Sequence, residues 1–226
     1  KKKKKRNLII VFIVLSVICL IFIILSKNYY KVIKIGNNTS IKTLNDVEGY
    51  ILNISSYSAE IEVTVNSNKN SNKYLIKQQY SAPNSLKQEV HEPASIKGLT
   101  TTYDGNNLEI KNTRINLNTL YENYEYVADN VIWLNTFIED YKQTQNKSIK
   151  EENNEYVVEV KVDKNKYITY KLLYINKDTS KPTKLLVLDE NRRSTISILY
   201  NEIKINETTK EEVLAFKINR ILKNEL

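Results

Sequence analysis

The stretch that decides the fold is YSAEIEVTV, residues 57–65. Its odd-numbered positions are apolar, and its even-numbered positions are polar or charged. Because successive side chains along a strand point to opposite faces of a sheet, this alternation predicts a strand with one buried and one solvated face. Such one-sided strands are typical of antiparallel sheets.

Comparable patterns predict further strands after this stretch. They cover residues 74–80, 86–92, 99–103, 108–111, 156–162, 167–175, 182–188 and 194–205. Short polar turns separate most neighbours, and Asp104-Gly105 is a strong hairpin signal because glycine accepts a positive φ. Strands joined by short turns pair in antiparallel fashion.

Helical patterns interrupt the strands in three places. Residues 43–46 contain a capping hydroxyl followed by an acid, which predicts a helix to about residue 55. Residues 130–141 carry an apolar stripe at helical spacing, and a second capping box at 209–212 predicts a C-terminal helix through residue 221. The predicted class is therefore α+β: a curved, unclosed antiparallel sheet, or half-barrel, whose concave face is covered by helices.

The N-terminus predicts a membrane anchor. Residues 1–6 are consecutive cations, and residues 8–26 then run for 19 positions without a charge. A helix of that length spans roughly 30 Å, the thickness of a bilayer's hydrocarbon core, and its positive flank belongs on the cytoplasmic side. We predict a basic cytoplasmic segment (1–7), a transmembrane anchor (8–26), a tether (27–40) and an extracytoplasmic domain (41–226).

Two other interpretations of the N-terminus are open: cleavage as a signal peptide and lipidation. A cleaved signal peptide would end in small residues, whereas this run ends in Ile23-Ile24-Leu25-Ser26. Lipidation at Cys19 would follow a small residue, whereas Ile18 is bulky and the apolar run continues past the cysteine. We favour the uncleaved transmembrane helix.

Composition limits the classes of partner and chemistry. Without the first six cations, 28 basic residues face 26 acidic ones, so the domain lacks the basic excess of a nucleic-acid binder. It has one histidine, His91, and no cysteine, which argues against a zinc site. The paired carboxylates Glu151-Glu152 and Glu211-Glu212 fall in a polar loop and at a helix start, where solvated charge is expected. We predict no enzyme, no catalytic residue, no metal and no cofactor.

Aromatic and aliphatic residues of the middle helix are the remaining candidates for a site. They are Trp133, Leu134, Phe137 and Tyr141. The favoured interpretation is that they pack the helix on the sheet, since such stripes are usually core. The functional interpretation is that they line an apolar groove for a ligand or partner.

An ordered set of short motifs spans residues 44–205. They are the strand at 57–65 followed by SNK, QYSAP at 79–83, QE at 88–89, YDG at 103–105, and the helix around WL at 133–134. In this order they resemble the LolA/LolB lipoprotein-carrier superfamily, and within it the clostridial GerS-like branch of germination proteins. The resemblance implies a LolA-like unclosed barrel with helices as a lid.

The resemblance also implies a function. GerS-like proteins associate with the CwlD-like N-acetylmuramoyl-L-alanine amidase that modifies spore-cortex peptidoglycan. It therefore implies a non-enzymatic accessory protein, anchored in the cell or forespore membrane of a Gram-positive spore-former, that supports such an amidase in germination. The alternative is a lipid- or lipoprotein-binding module that holds an acyl chain in the concave cavity. GerS-like proteins are lipoproteins, so a transmembrane helix at 8–26 would be a departure.

Overall fold

A computed structural model describes residues 41–124 and 130–214, with the backbone alone at 163–164. The described chain forms one long series of strands with three short helices and a 3₁₀ turn. The elements are α1 (Asp46–Leu52), β1 (Ser56–Asn66), β2 (Ser71–Ser81), β3 (Ser85–Glu92), β4 (Thr100–Tyr103), β5 (Leu108–Asn112), the 3₁₀ turn (Thr113–Ile115), β6 (Leu117–Tyr121), α2 (Leu134–Gln143), β7 (Lys147–Glu152), β8 (Glu155–Asn165), β9 (Ile168–Asn176), β10 (Pro182–Leu188), β11 (Ser194–Ile205) and α3 (Lys210–Leu214).

All eleven strands belong to one antiparallel sheet. Their order is β6-β5-β4-β3-β2-β1-β11-β10-β9-β8-β7, so β6 and β7 are the two edges and the sheet is not closed. Every pair of neighbours is antiparallel. The predicted large, unclosed antiparallel sheet with few helices is confirmed.

The first and the last strand pair at the middle of the sheet. Tyr57 on β1 faces Ile205 on β11, and the ladder continues to the pair Val65 and Ile196 across one bulge. Asn206 fastens the end of this ladder, because its side-chain oxygen accepts from the backbone N–H of Ser55 at 2.8 Å and its amide donates to the carbonyl of Asn53 at 3.0 Å. Both halves of the strand series therefore start from one central seam.

One face of the sheet carries the main core. The odd-numbered side chains of β1, predicted to face inward, are buried at Tyr57, Ala59, Ile61 and Val63. Helices α1 and α2 pack on this face, with Val47, Ile51 and Phe137 fully buried in the same cluster. Because β6 and β7 lie at opposite edges, the segment between them must traverse the sheet, and α2 belongs to that crossing. Helix α3 instead contacts β2 and β3.

The structure differs from the sequence predictions mainly at the edges. Strands β6 and β7 were not predicted, because each is largely exposed and lacks a clear alternation of buried residues. Helix α2 begins at Leu134 rather than near residue 130, and α1 begins at Asp46 and ends at Leu52. The continuation of the C-terminal helix to residue 221 lies outside the described residues.

The predicted anchor and tether, residues 8–26 and 27–40, also lie outside the described residues. Among the residues that the structure describes, no helix is long and apolar enough to cross a membrane.

Candidate functional site

The start of α2 is held by a side chain from the sheet. The backbone N–H of Leu134 donates a hydrogen bond to the Tyr57 hydroxyl at 3.1 Å. The preceding residue, Trp133, has an extended backbone and provides no side-chain cap of its own. The Tyr57 hydroxyl therefore takes the place of a local cap at a helix end that would otherwise leave a buried donor unpaired.

Aromatic rings surround this junction. The Tyr57 ring centroid lies 5.6 Å from that of Tyr80 and 6.5 Å from that of Trp133, with both pairs tilted. Tilted arrangements at such distances are the favourable geometry for aromatic pairs. Thr136 adds a further tie, because its hydroxyl donates to the carbonyl of Trp133 at 2.6 Å.

The four residues predicted as a possible groove all lie in the core. Trp133 is 3% exposed, Tyr141 is 1% exposed, and Leu134 and Phe137 are completely buried. They belong to the cluster that joins α1 and α2 to the sheet. This position agrees with the interpretation that they pack the helix on the sheet, and their use as an apolar groove stays a prediction.

A buried ion pair joins α2 to β9. The sequence patterns did not predict it. The Lys171 ammonium lies 2.5 Å from the Asp140 carboxylate, and the lysine side chain is completely buried. The sequence offers a weak signal for it, since Lys171 occupies an inward position in a strand that otherwise buries Leu173 and Ile175 on the same face. The pair fixes the helix to the far half of the sheet.

The core face also contains polar atoms without partners. Gln78 on β2 is completely buried, and neither side-chain amide atom has a hydrogen bond among the described residues. The hydroxyl of Tyr200 on β11 is likewise buried without a partner there, and burial raises the pKa of this phenol. The Tyr200 hydroxyl therefore remains protonated and neutral in the physiological range.

The residues considered for catalysis are spread over the surface. His91 lies 3.9 Å from Glu89 at the end of β3. Glu151 and Glu152 are exposed on β7 and pair with Lys177 and Lys150. In α3, Glu212 caps its own helix by accepting from the backbone N–H of Thr209 at 2.8 Å. Within the described ranges, no group of three or more His, Cys, Asp and Glu side chains could hold a metal ion.

The two edges of the sheet differ in their protection. Strand β7 has the sequence KSIKEE, and its charges form ion pairs such as Lys147 with Glu48 at 3.4 Å. Charged side chains of this kind protect an edge against pairing with another chain. Strand β6, LNTLY, carries no charge. Within the described part of the chain, the β6 edge therefore lacks the protection that charge gives to the β7 edge.

Apolar side chains are exposed along β6 and its flanks. Ile115 is 65% exposed, Leu120 is 50% exposed and Tyr121 is 47% exposed. Tyr124 is also exposed, with its ring centroid 6.1 Å from that of Tyr121. We call this set, Ile115, Leu117–Tyr121 and Tyr124, the β6 edge. An uncharged strand flanked by exposed apolar side chains is suited to binding a partner strand.

Comparison with known proteins identifies a family for this chain. The family described as "Sporulation protein YdcC-like" has a model that matches residues 5–214. No curated protein matches the chain.

Several solved structures are similar to the chain. One is a chain in the structure of the CwlD amidase from Clostridioides difficile in complex with the GerS lipoprotein. It has 27% identity and a TM-score of 0.45, and the match covers 74% of this chain and 98% of that chain. An uncharacterized conserved protein from Thermus thermophilus has 12% identity, a TM-score of 0.46, and coverage of 76% and 90%. The LolA superfamily protein NE2245 from Nitrosomonas europaea has 12% identity, a TM-score of 0.38, and coverage of 76% and 97%.

The predicted resemblance to LolA-like and GerS-like proteins is confirmed, and the family match is to sporulation proteins. The family model covers nearly the whole chain, including every described strand. The chain therefore belongs to the YdcC-like family of sporulation proteins.

Proposed function

We propose that this chain is a non-enzymatic accessory protein of the spore envelope that binds and supports a CwlD-like N-acetylmuramoyl-L-alanine amidase. Membership of a sporulation family supports the cellular process. The identity of the partner comes from the sequence resemblance to the GerS-like branch. In this proposal residues 8–26 anchor the domain in the membrane, and residues 41–226 lie on the peptidoglycan side.

The observation that carries the proposal is the contrast between the two sheet edges. A sheet edge is a row of backbone donors and acceptors, and proteins normally protect it with charge. Here β7 is protected by lysines and glutamates, whereas the β6 edge is uncharged and exposes Ile115, Leu120 and Tyr121. We assign the amidase contact to the β6 edge, with main-chain pairing for affinity and the exposed apolar side chains for specificity.

The test is a binding experiment with the full chain in a mild detergent and the spore-cortex amidase of the same organism. Native mass spectrometry should show a stoichiometric complex. The variant with both Ile115→Lys and Tyr121→Lys places two cations beside β6 and should weaken the complex at least tenfold, about 1.4 kcal/mol. Ser148→Lys on β7 adds a cation at the other edge and should leave the complex unchanged.

Two results would contradict the proposal. Equal binding by the β6 and β7 variants would remove the β6 edge from the contact. Absence of any complex, together with a bound mass that dissociates as acyl lipid, would replace the accessory role with the lipid-binding alternative.

A further inference from the structure

A cavity lies on the face of the sheet opposite the main core. It has a volume of about 510 Å³ and is formed by the outer side of β3–β6 together with α3. Cavities of roughly 300–1,000 Å³ are the size that takes small ligands. The floor of the cavity, on the sheet, is polar. Its wall is apolar and consists of Leu120 on β6 and Val213 and Leu214 on α3.

The floor of the cavity has a regular arrangement of charge. Across the strands, Lys87 faces Thr102, which in turn faces Glu109. In the next row the order is reversed, because Glu89 faces Thr100, which faces Lys111. A cation and an anion therefore stand on each side of a central pair of threonines, and their positions alternate from one row to the next.

These charges balance each other. Glu109 and Lys111 form an ion pair along β5, and Lys87 and Glu89 stand beside each other along β3. Burial lowers the pKa of Lys87, as expected for an ammonium withdrawn from water. A third carboxylate at the rim, Asp104, accepts from the backbone N–H of Asn107 at 2.8 Å and so holds the β4–β5 turn.

A floor on which cations and anions alternate selects among ligands. A ligand with a single charge meets an attractive and a repulsive group at similar distances, whereas a zwitterion can place its ammonium at a glutamate and its carboxylate at a lysine. The half-buried hydroxyls of Thr100 and Thr102 lie between the two and can bond to peptide groups. The apolar wall suits short aliphatic side chains.

We propose that this cavity binds a short zwitterionic peptide with a free amino terminus and small side chains. The source of such a peptide rests on the proposed function. An N-acetylmuramoyl-L-alanine amidase adds water across the amide between the muramic acid and the alanine. The C–N bond breaks, the water oxygen joins the acyl carbon so that the sugar side keeps a carboxylate, and the alanine nitrogen takes both hydrogens of the water to become an ammonium. Leu120 belongs both to the cavity wall and to the β6 edge, so the released peptide would bind beside the amidase contact.

In the experiment, the full chain in a mild detergent is titrated with the tripeptide Ala-Ala-Ala, and calorimetry measures the binding. The N-acetylated and the C-amidated forms of the same peptide each lack one charge and should bind at least tenfold more weakly. Equal affinity for free and blocked peptides would overturn the proposal. So would the absence of binding of the free peptide at 10 mM, a dissociation constant that corresponds to a binding free energy of roughly −3 kcal/mol.

Two sets of variants test the location of the peptide site separately from the amidase contact. Thr100→Val with Thr102→Val should reduce peptide binding at least tenfold, whereas Thr64→Val, on the outer face of β1, should not. Circular dichroism establishes that each variant is folded, and unchanged binding by the folded double variant would place the peptide elsewhere. The double variant Ile115→Lys with Tyr121→Lys should retain peptide binding while its binding to the amidase is weakened at least tenfold. Peptide binding without an amidase complex would contradict only the accessory role. An amidase complex without peptide binding would contradict only the assignment of the cavity.

Discussion

The Tyr57 hydroxyl on β1 accepts a hydrogen bond from the backbone N–H of Leu134, so that a strand residue caps a helix 77 positions later in the chain. Tyr57 is completely buried, and burial raises the pKa of its hydroxyl. The group therefore stays protonated and neutral. It fixes where the crossing segment between the two sheet edges becomes helical.

Replacing Tyr57 with phenylalanine tests this cap. The variant keeps the ring but leaves the Leu134 N–H buried without an acceptor, which should cost about 1–3 kcal/mol of unfolding free energy. Tyr200→Phe is the matched control, because its hydroxyl is buried without a partner in the described structure and its loss should be neutral or stabilising. Urea unfolding measures both, and equal losses would show that the cap does not stabilise the fold.

The buried pair of Asp140 and Lys171 should be sensitive to loss of one charge. Asp140→Asn removes the carboxylate charge that lies 2.5 Å from a completely buried ammonium, which should cost about 3–5 kcal/mol. Replacing both residues together, Asp140→Leu with Lys171→Met, should recover most of that loss, since buried ion pairs are often no more stabilising than apolar residues of similar size. Urea unfolding of the three proteins gives the comparison. A double variant as unstable as Asp140→Asn would indicate that the charges position the helix through further contacts.

The two interpretations of the middle helix differ in a measurable way. If Phe137 packs α2 on the sheet, as its complete burial indicates, Phe137→Ala should destabilise the protein by about 3–5 kcal/mol. Leu120→Ala removes an exposed side chain and should change stability by less than about 0.5 kcal/mol. Thermal and urea unfolding distinguish these. A stable Phe137→Ala protein with weakened binding of acyl lipid would favour the groove interpretation instead.

The β10–β11 turn should contribute to acid sensitivity. The backbone N–H of Arg193 donates to the Asp189 carboxylate at 2.8 Å, and this bond lowers the pKa of Asp189 below its ordinary value of 3.8. Since the folded-state pKa lies below the unfolded one, Asp189 stabilises the fold above pH 3.8, and the stabilisation is lost as the pH falls through the folded-state pKa.

Comparison with Asp189→Asn checks this effect. The difference in urea midpoint between the wild type and the variant should be largest at pH 6 and shrink toward pH 2. A difference that is constant over this range would show that the carboxylate acts through its shape rather than through its charge.

The sequence predicts the central part of the sheet well. Strand β1 alternates strictly because one of its faces packs on α1 and α2 while the other is partly exposed. Strands β10 and β11 were predicted with the bounds that the structure gives them, since turns with clear polar sequences enclose them. The capping box at 43–46 is present in part, with a bond from the Thr43 N–H to Asp46 at 2.9 Å. The box at 209–212 is complete, because the Thr209 N–H donates to Glu212 at 2.8 Å and the Glu212 N–H donates to the Thr209 hydroxyl at 3.2 Å.

The edges and the candidate sites could not be predicted in the same way. Strand β7 is a strand because of its pairing to β8, and its largely polar sequence has no pattern that would show this. The cavity depends on the register that places Lys87, Thr102 and Glu109 in one row, and register is a property of three strands together. Likewise, no local pattern links Tyr57 with Leu134.

The central seam between β1 and β11 has a consequence for folding during synthesis. Each half of the sheet consists of strands that pair with their neighbours in sequence, so both halves can begin to form from local hairpins as the chain emerges. The seam joins residues 56–66 to residues 194–205 and can form only when nearly the whole domain has been made. Until then β1 has an unpaired edge, and the protein depends on the rate of translation to bring its last strand to its first.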